Sequence, residues 1–352
     1  MLSGSLYACL LGLALFALSA AAQETAANEW AWMGGSSTAG DWNGRPGVYG
    51  TLGVPNIGNM PGSRKGAASW TDSTGKRWMF GGNGYDSRGY EFYLNDLWVY
   101  DSSNREWTWM AGTNLSDQSG VYGNLQQADS ANTPGGRADA VTWTDKAGNF
   151  WLFGGMGLDF RDMLGQLNDL WEFSPSTHEW TWMGGNEALG ECTYTGTCGR
   201  LGMYGTLGVP AAGNAPGGRE AANGWVDTNG DFWLFGGHGM DAWGALGSLN
   251  DIWKFDTSTR QWVWMSGSKG LGDCATANTC GQPGVYGALG VETAANIPGG
   301  RSQASSWTDH YGNFWLFGGS GYDAASVGGY LNDLWRFNPS YPSGQDHSFR
   351  RF

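Results

Sequence analysis

Residues 149–155 read Asn-Phe-Trp-Leu-Phe-Gly-Gly, and this stretch decides the fold because the chain repeats it. The Phe-Gly-Gly triplet begins at Phe80, Phe153, Phe235 and Phe317, at successive offsets of 73, 82 and 82 residues. Two flanking motifs keep the same offsets: Pro-Gly-(Gly/Ser)-Arg before the triplet and Leu-Asn-Asp after it. The sequence therefore predicts four copies of one structural unit, which we number as the first to fourth repeats.

Each repeat alternates short, aromatic-rich runs with turn residues. In the second repeat these runs are residues 137–145, 149–153, 168–174 and 179–183. Short apolar runs bounded by Gly, Pro, Asn and Ser are typical of antiparallel strands. The prediction is an all-β fold of four-stranded sheets that are apolar on both faces, so that each sheet packs between its neighbours.

Two features of the repeats resemble the kelch motif, namely a glycine doublet after the second strand and an aromatic residue that is separated from a tryptophan by six intervening residues. The doublets are Gly81-Gly82, Gly154-Gly155, Gly236-Gly237 and Gly318-Gly319, and the pairs are Tyr100 with Trp107, Phe173 with Trp180, and Phe255 with Trp262. The resemblance implies a kelch-type β-propeller, similar to the central domain of galactose oxidase and to secreted bacterial proteins of this class. The repeats are longer here than the usual kelch length of about 50 residues.

The fourth repeat lacks its last strand, because Gly344 stands where the other repeats carry Trp. Residues 29–33 (Glu-Trp-Ala-Trp-Met) match the last strand of the first repeat, residues 106–110. The kelch resemblance implies that an N-terminal strand closes the ring in the last blade. We therefore expect a propeller of four four-stranded blades over residues 23–340, in which residues 29–33 pair with residues 332–338. An open arc of a larger, truncated propeller is the alternative.

The two ends of the chain are predicted to lie outside the propeller. Residues 6–22 are an uncharged apolar run that ends in three alanines, which is typical of a secretory signal peptide spanning residues 1–22. An uncleaved membrane anchor is the alternative; after cleavage no membrane span is expected. Residues 341–352 form a C-terminal tail. We expect a secreted, periplasmic or cell-surface protein.

The composition excludes two other classes of protein. A hydrophobic content of 41%, with 22 Trp, 14 Tyr and 15 Phe, is too high for intrinsic disorder. The net charge is −13, and the 19 Lys and Arg residues are scattered along the chain. Because nucleic-acid binding requires clustered basic residues, no nucleic-acid partner is expected.

Four cysteines follow the predicted signal peptide, in two pairs at equivalent positions of two loops: Cys192 with Cys198, and Cys274 with Cys280. Each pair predicts a local disulfide, in keeping with export. Zinc is disfavoured, since the loops lack His and five residues separate the cysteines of a pair. We expect no metal and no cofactor, and paired cysteines also disfavour the copper chemistry of galactose oxidase, which needs a cysteine crosslinked to tyrosine.

Two tryptophans fall outside the repeat pattern, Trp42 and Trp243, whereas the other 20 occupy repeat positions and are assigned to the core. Alternating strand direction places the inter-repeat loops and the loops after the glycine doublets at one end of the sheets, which we call the long-loop end. Long loops on a rigid scaffold are common binding sites. Trp42 and Trp243, with Asp241 close by, are therefore candidate ligand contacts; local loop packing is the alternative.

Two repeated polar series each have two interpretations. The first strands begin with an arginine that forms either an anion site at the channel mouth or an ion pair with the aspartate of Leu-Asn-Asp. These residues are Arg64, Arg137, Arg219 and Arg301, with Asp96, Asp169, Asp251 and Asp333. An aspartate after each doublet suits calcium or an Asx-type turn, and we favour the turn. This second series is Asp86, Asp159, Asp241 and Asp323.

These patterns favour a secreted binding module that recognises a glycan, peptide or protein at its long-loop end. Catalytic motifs of the Gly-x-Ser-x-Gly and His-Glu-x-x-His types are absent from the sequence, and its four histidines have no repeated partner. One alternative is a propeller enzyme of the sugar mutarotase or lyase type, with arginines and acidic residues at the channel mouth. A structural cell-surface protein is the other alternative.

Overall fold

A computed structural model describes residues 29–40, 44–190, 192, 196–272 and 280–339. The chain divides into two parts, Met1–Gly35 and Ser36–Phe352. The predicted signal peptide, Trp42, Cys274 and the predicted C-terminal tail lie outside the described residues. In the first part, residues 29–35 contain neither helix nor strand.

The second part is all-β over its described residues, with 23 strands. The first repeat contains β1 (Arg64–Lys65), β2 (Ala68–Thr71), β3 (Arg77–Tyr85), β4 (Glu91–Asp101) and β5 (Glu106–Ala111). The second contains β6 (Ala128–Asp129), β7 (Arg137–Ala138), β8 (Val141–Thr144), β9 (Phe150–Leu158), β10 (Leu164–Ser174), β11 (Glu179–Gly184) and β12 (Cys198–Gly199). The third contains β13 (Arg219–Glu220), β14 (Asn223–Val226), β15 (Phe232–Phe235), β16 (His238–Met240), β17 (Leu246–Ser248), β18 (Ile252–Asp256) and β19 (Gln261–Ser266). The fourth contains β20 (Arg301–Ser302), β21 (Ser305–Thr308), β22 (Phe314–Tyr322) and β23 (Gly328–Phe337). No helix of the described chain has the length and apolar character needed to cross a bilayer.

The predicted antiparallel pairing is confirmed in all four repeats, but the strands of the third repeat form two sheets, β12 adds a parallel pairing with β10 in the second repeat, and the innermost strand differs from the prediction. In the first repeat β2, β3, β4 and β5 pair in order, and β1 pairs with β3 in line with β2. The innermost strand is therefore split in two. At the break, each repeat has a residue with positive φ: Gly66, Asp139, Ala221 and Gln303.

In the first, second and fourth repeats the glycine doublet lies inside a strand and not after its end, which shortens the loop that follows it. Gly81 and Gly82 have φ values of 65° and 99°, and the β3–β4 register shifts at this point. A Cβ on Gly81 would lie 2.7 Å from the carbonyl oxygen of Arg137 in the next repeat, so only glycine allows this approach. Because the strands continue past the bulge, the loop of the first repeat is reduced to residues 86–90.

The core lies between successive repeats and is built from stacked aromatic pairs. Ring centroids are 5.2 Å apart for Trp70 and Phe150, 5.3 Å for Trp143 and Phe232, and 5.3 Å for Trp225 and Phe314. We call the side of a repeat that packs on the following repeat its trailing face, and the opposite side its leading face. The trailing face carries Trp70, Phe80 and Leu97 or their equivalents, and the leading face carries Phe150, Phe173 and Trp180 or their equivalents.

The predicted closing strand is not formed in this structure. Residues 29–33 are not in a strand, and Trp30 is fully exposed. Within the described residues of the second part, the outer edge of β23 has no paired strand. A segment this short has no ladder hydrogen bonds to hold it extended unless it docks on such an edge.

The last repeat also leaves its trailing face uncovered. Trp307 and Phe317 are each 45% exposed and Leu334 is 54% exposed, whereas the equivalents Trp143, Phe153 and Leu170 are 3%, 1% and 1% exposed. The leading face of the first repeat is likewise open, because Arg77 is exposed and Trp107 is only half-buried. A closed ring is therefore not seen in the described residues.

Candidate functional site

Aspartate side chains hold the turns that follow the glycine doublets, at the long-loop end of the sheets. Asp241 Oδ1 accepts hydrogen bonds from the backbone N–H groups of Trp243 at 2.8 Å and Ala245 at 2.9 Å, and Oδ2 accepts from the N–H of Leu271 at 3.1 Å. The same capping bonds occur at Asp86, Asp159 and Asp323. These are Asx-type turns, the interpretation favoured over calcium. In the described part of the chain, no three His, Cys, Asp or Glu side chains cluster as metal ligands.

Asp241 positions its neighbour and does not face solvent. Its side chain is buried, and both carboxylate oxygens are occupied by backbone N–H groups. From the sequence, Asp241 and Trp243 were both predicted to contact a ligand. The structure instead shows Asp241 fixing the turn that presents Trp243.

Trp243 is the most exposed large aromatic residue of these turns, with 73% of its surface open to solvent. Its six-membered ring lies against Gly270, where an added Cβ would be 1.7 Å from ring atom Cζ3. The neighbouring Ala242 N–H donates to the carbonyl oxygen of Lys269 at 2.9 Å. One part of the ring is thus supported by backbone while the rest is free, which makes it a fixed aromatic platform.

Two polar side chains belong to the loops that support this platform. The Gln282 amide donates to the carbonyl oxygen of Gly270, the residue that the Trp243 ring contacts, at 2.8 Å. The Lys269 ammonium lies 4.8 Å from the centre of the Trp264 ring. The loop segment under Trp243 thus carries an ammonium group on Lys269 and accepts a hydrogen bond from the Gln282 amide at Gly270.

The other turns of this end also expose aromatic residues, which the sequence analysis missed. Tyr90 is 67% exposed and Phe160 is 45% exposed, in the turns equivalent to that of Trp243. A cavity of about 430 Å³ in the first repeat is lined by Tyr90, Arg88 and Gln118. The sequence signal is an aromatic residue one to four positions after the capping aspartate, which three of the four turns have.

The repeated arginines are buried in ion pairs. Arg219 donates to Asp251 through Nη1 at 2.7 Å and Nη2 at 2.8 Å, and to the carbonyl oxygens of Gly217 and Gly236, each at 3.0 Å. Both side chains of the pair are fully buried. The same pairing occurs at Arg64 with Asp96, Arg137 with Asp169, and Arg301 with Asp333. The pairing alternative is confirmed, and this geometry speaks against an anion site built from these guanidinium groups.

A tyrosine and a tryptophan complete each ion pair. Tyr204 Oη and Trp253 Nε1 both donate to Asp251 Oδ2 at 2.7 Å. Burial raises the pKa of Tyr204 far above its usual range, and the adjacent Asp251 carboxylate raises it further. At the less buried equivalent in the fourth repeat, burial and the bond to Asp333 raise the pKa of Tyr286 to about 12. These hydroxyls therefore stay protonated and serve as fixed donors.

A larger cavity of about 780 Å³ opens at the opposite end of the sheets, between the innermost strands. Its walls come from all four repeats, including Trp70, Trp143, Trp225 and Trp307 together with Arg77 and Thr144. Residues of all four repeats thus line one common opening. The arginine that lines it, Arg77, is not one of the four that the sequence analysis selected.

One of the two predicted disulfides is confirmed. Cys192 and Cys198 are joined, and Cys198 also lies in β12, which pairs in parallel with β10. Cys280 is disulfide-bonded as well. Its predicted partner Cys274 lies outside the described residues, so the second pairing stays a prediction.

The chain matches no protein-family model, and no curated protein is similar to it in sequence. Among solved structures, one described as "Structure of YjhT" is similar to it, at 16% sequence identity. The similarity covers 79% of this chain and 82% of that chain, with a TM-score of 0.42. A likeness of this strength assigns neither a family nor a function to the chain.

Proposed function

We propose that the protein is a secreted, propeller-type binding module that recognises a glycan at its long-loop end through Trp243. The observation that carries the proposal is a tryptophan that is 73% exposed yet held in place by Asp241 and Gly270. Sugar rings have an apolar C–H face and a polar rim, which suits an aromatic surface beside amide and ammonium groups. Because the platform is preformed, little conformational entropy is lost on binding.

The binding test is an alanine exchange at the platform. A glycan array probed with the purified protein would first supply a soluble oligosaccharide, and calorimetry would then compare Trp243→Ala with the wild type. We expect weaker binding by about 1 to 3 kcal/mol, the range of interface hot spots. The thermal midpoint should barely change, since the ring lies outside the core between repeats.

Tyr311→Ala is the matched control, because Tyr311 is 78% exposed in a turn at the opposite end of the sheets. It should bind the oligosaccharide as the wild type does. Equal affinity of wild type and Trp243→Ala would place the site elsewhere.

The enzyme alternative has less support. It needs arginine and acidic side chains that converge in an open channel mouth. Arg137, Arg219 and Arg301 are at most 1% exposed, and their N–H groups already donate to aspartate and carbonyl oxygens. A substrate could reach none of them without breaking a buried ion pair.

We further propose that the repeats are kelch-type blades and that residues 29–33 add to the free edge of β23. Trp32 Nε1 donates to the carbonyl oxygen of Gly34 at 2.5 Å, a local bond also present in the outer strands from Trp109 to Ala111 and from Trp182 to Gly184. These residues therefore already have one contact typical of an outer strand. In the register of Tyr100 with Trp107, residue Phe337 would lie opposite Trp30.

Deleting residues 23–33 tests this strand addition. The deletion should lower the thermal midpoint, because the edge of β23 would then keep its backbone donors and acceptors unpaired. Deleting residues 341–352 is the control and should have a smaller effect. An unchanged midpoint after the N-terminal deletion would show that residues 29–33 do not complete the fourth repeat.

A further inference from the structure

The fourth repeat keeps the residues of an inter-repeat interface although no described repeat covers them. Along β23 the side chains alternate between partly buried and exposed, whereas β10 in the second repeat is buried on both sides over most of its length. The exposed side carries Tyr330 at 95% and Leu334 at 54%, beside Trp307 and Phe317 at 45% each. Four large apolar side chains on one side of a sheet form a patch that marks an interaction surface.

The chain itself shows what covers such a face. At three successive junctions, a trailing face packs on the leading face of another repeat, with the same stacking at 9°, 8° and 10° between ring planes. These three equal junctions do not bring the fourth trailing face onto the first leading face, because both remain open. The leading face left uncovered within the described repeats is that of the first repeat.

The first repeat differs from the others at one position of this face. Arg77 occupies the place of Phe150, since both are paired with the last threonine of the preceding strand. In the three internal junctions a tryptophan stacks on that phenylalanine. Trp307 would therefore meet a guanidinium group, and arginine stacked on tryptophan is a favourable cation–π pair.

We propose that the trailing face of the fourth repeat binds the leading face of the first repeat of a second copy. The contact is head-to-tail, because the trailing face of one copy binds the leading face of the next. Each copy therefore has one free trailing face and one free leading face in the monomer. Contacts of this kind close into a ring or extend from copy to copy, depending on the rotation between copies. The proposal concerns self-association and is independent of the ligand site at Trp243.

Light scattering after size exclusion, over a wide range of protein concentrations, tests the proposal with two blocked variants. Leu334→Asp blocks the trailing face, and Tyr100→Asp blocks the leading face. Each variant alone should stay monomeric at concentrations where the wild type associates. An equimolar mixture should form a one-to-one dimer, because each variant keeps the face that the other has lost.

Arg77→Asp, at an exposed position, is the second leading-face variant in case Tyr100→Asp does not fold. A wild type that is monomeric at every concentration would overturn the proposal. So would a mixture of folded variants that stays monomeric, since the wild type would then associate through another surface. Self-association that survives both single exchanges would overturn it as well.

Discussion

Replacing Asp251 by Asn should lower the free energy of unfolding by about 3 to 5 kcal/mol, the cost of leaving one charge of a buried pair unmatched. Asp251 is fully buried and accepts hydrogen bonds from Arg219, Tyr204 and Trp253. Asparagine keeps the shape of the side chain but removes the charge that balances the guanidinium group. Urea unfolding followed by tryptophan fluorescence would measure the change.

An exposed ion pair provides the control. Arg336 and Glu292 are 2.6 Å apart, with side chains 45% and 51% exposed. Removing the charge in Glu292→Gln should change the free energy of unfolding by about 1 kcal/mol or less, as is usual for surface pairs. If Asp251→Asn cost no more than this control, the buried ion pair would not be a main support of the fold.

The second large effect is expected at the junction between the second and third repeats. Phe153→Ala should cost about 3 to 5 kcal/mol, because it removes a buried ring and leaves a cavity. The Phe153 ring is 1% exposed, and its centroid lies 5.3 Å from that of Trp262. Urea unfolding at a concentration where the protein is monomeric would measure this cost.

The same exchange at the equivalent position of the fourth repeat is the matched comparison. Phe317 is 45% exposed, so Phe317→Ala should cost less than half as much as Phe153→Ala in the monomer. Equal costs would mean that a single copy covers its own trailing face. The four repeats would then close as the four-bladed ring expected from the sequence.

The repeat pattern predicted most of the fold because its signals are local. Offsets of 73 and 82 residues placed the four repeats, and aromatic runs between turn residues placed the strands. The position of the glycine doublet within its strand was not predictable from the run itself. The position of the doublet depends on a close approach to the next repeat. Gly81, for example, lies against the carbonyl oxygen of Arg137. Ring closure depends on how repeats rotate against each other, which no local pattern encodes.

The candidate site was predicted in part. Trp243 stood out because it lacks a counterpart in the other repeats, and it is exposed at the expected end. Asp241 does not present a free carboxylate to a ligand. An aspartate at the start of a turn accepts hydrogen bonds from the backbone N–H groups of that turn, as Asp241 does here. Each repeated arginine has the aspartate of Leu-Asn-Asp at a constant spacing, so the ion pair was predictable from the sequence. The pair is buried because both of its charges are matched inside the repeat. Tyr90 and Phe160 were missed because only tryptophans without counterparts in the other repeats were taken as candidates.

Oxidative footprinting of the tryptophans, read by mass spectrometry on the dilute monomer, tests most directly whether one copy exposes both Trp243 and the last trailing face. Trp243, at 73% exposure, and Trp307, at 45%, should oxidise much faster than Trp143 and Trp225, at 3% and 9%. A bound oligosaccharide should slow oxidation of Trp243 alone. Protection of Trp307 equal to that of Trp143 in the monomer would contradict the open end, and protection of Trp243 without ligand would contradict the binding platform.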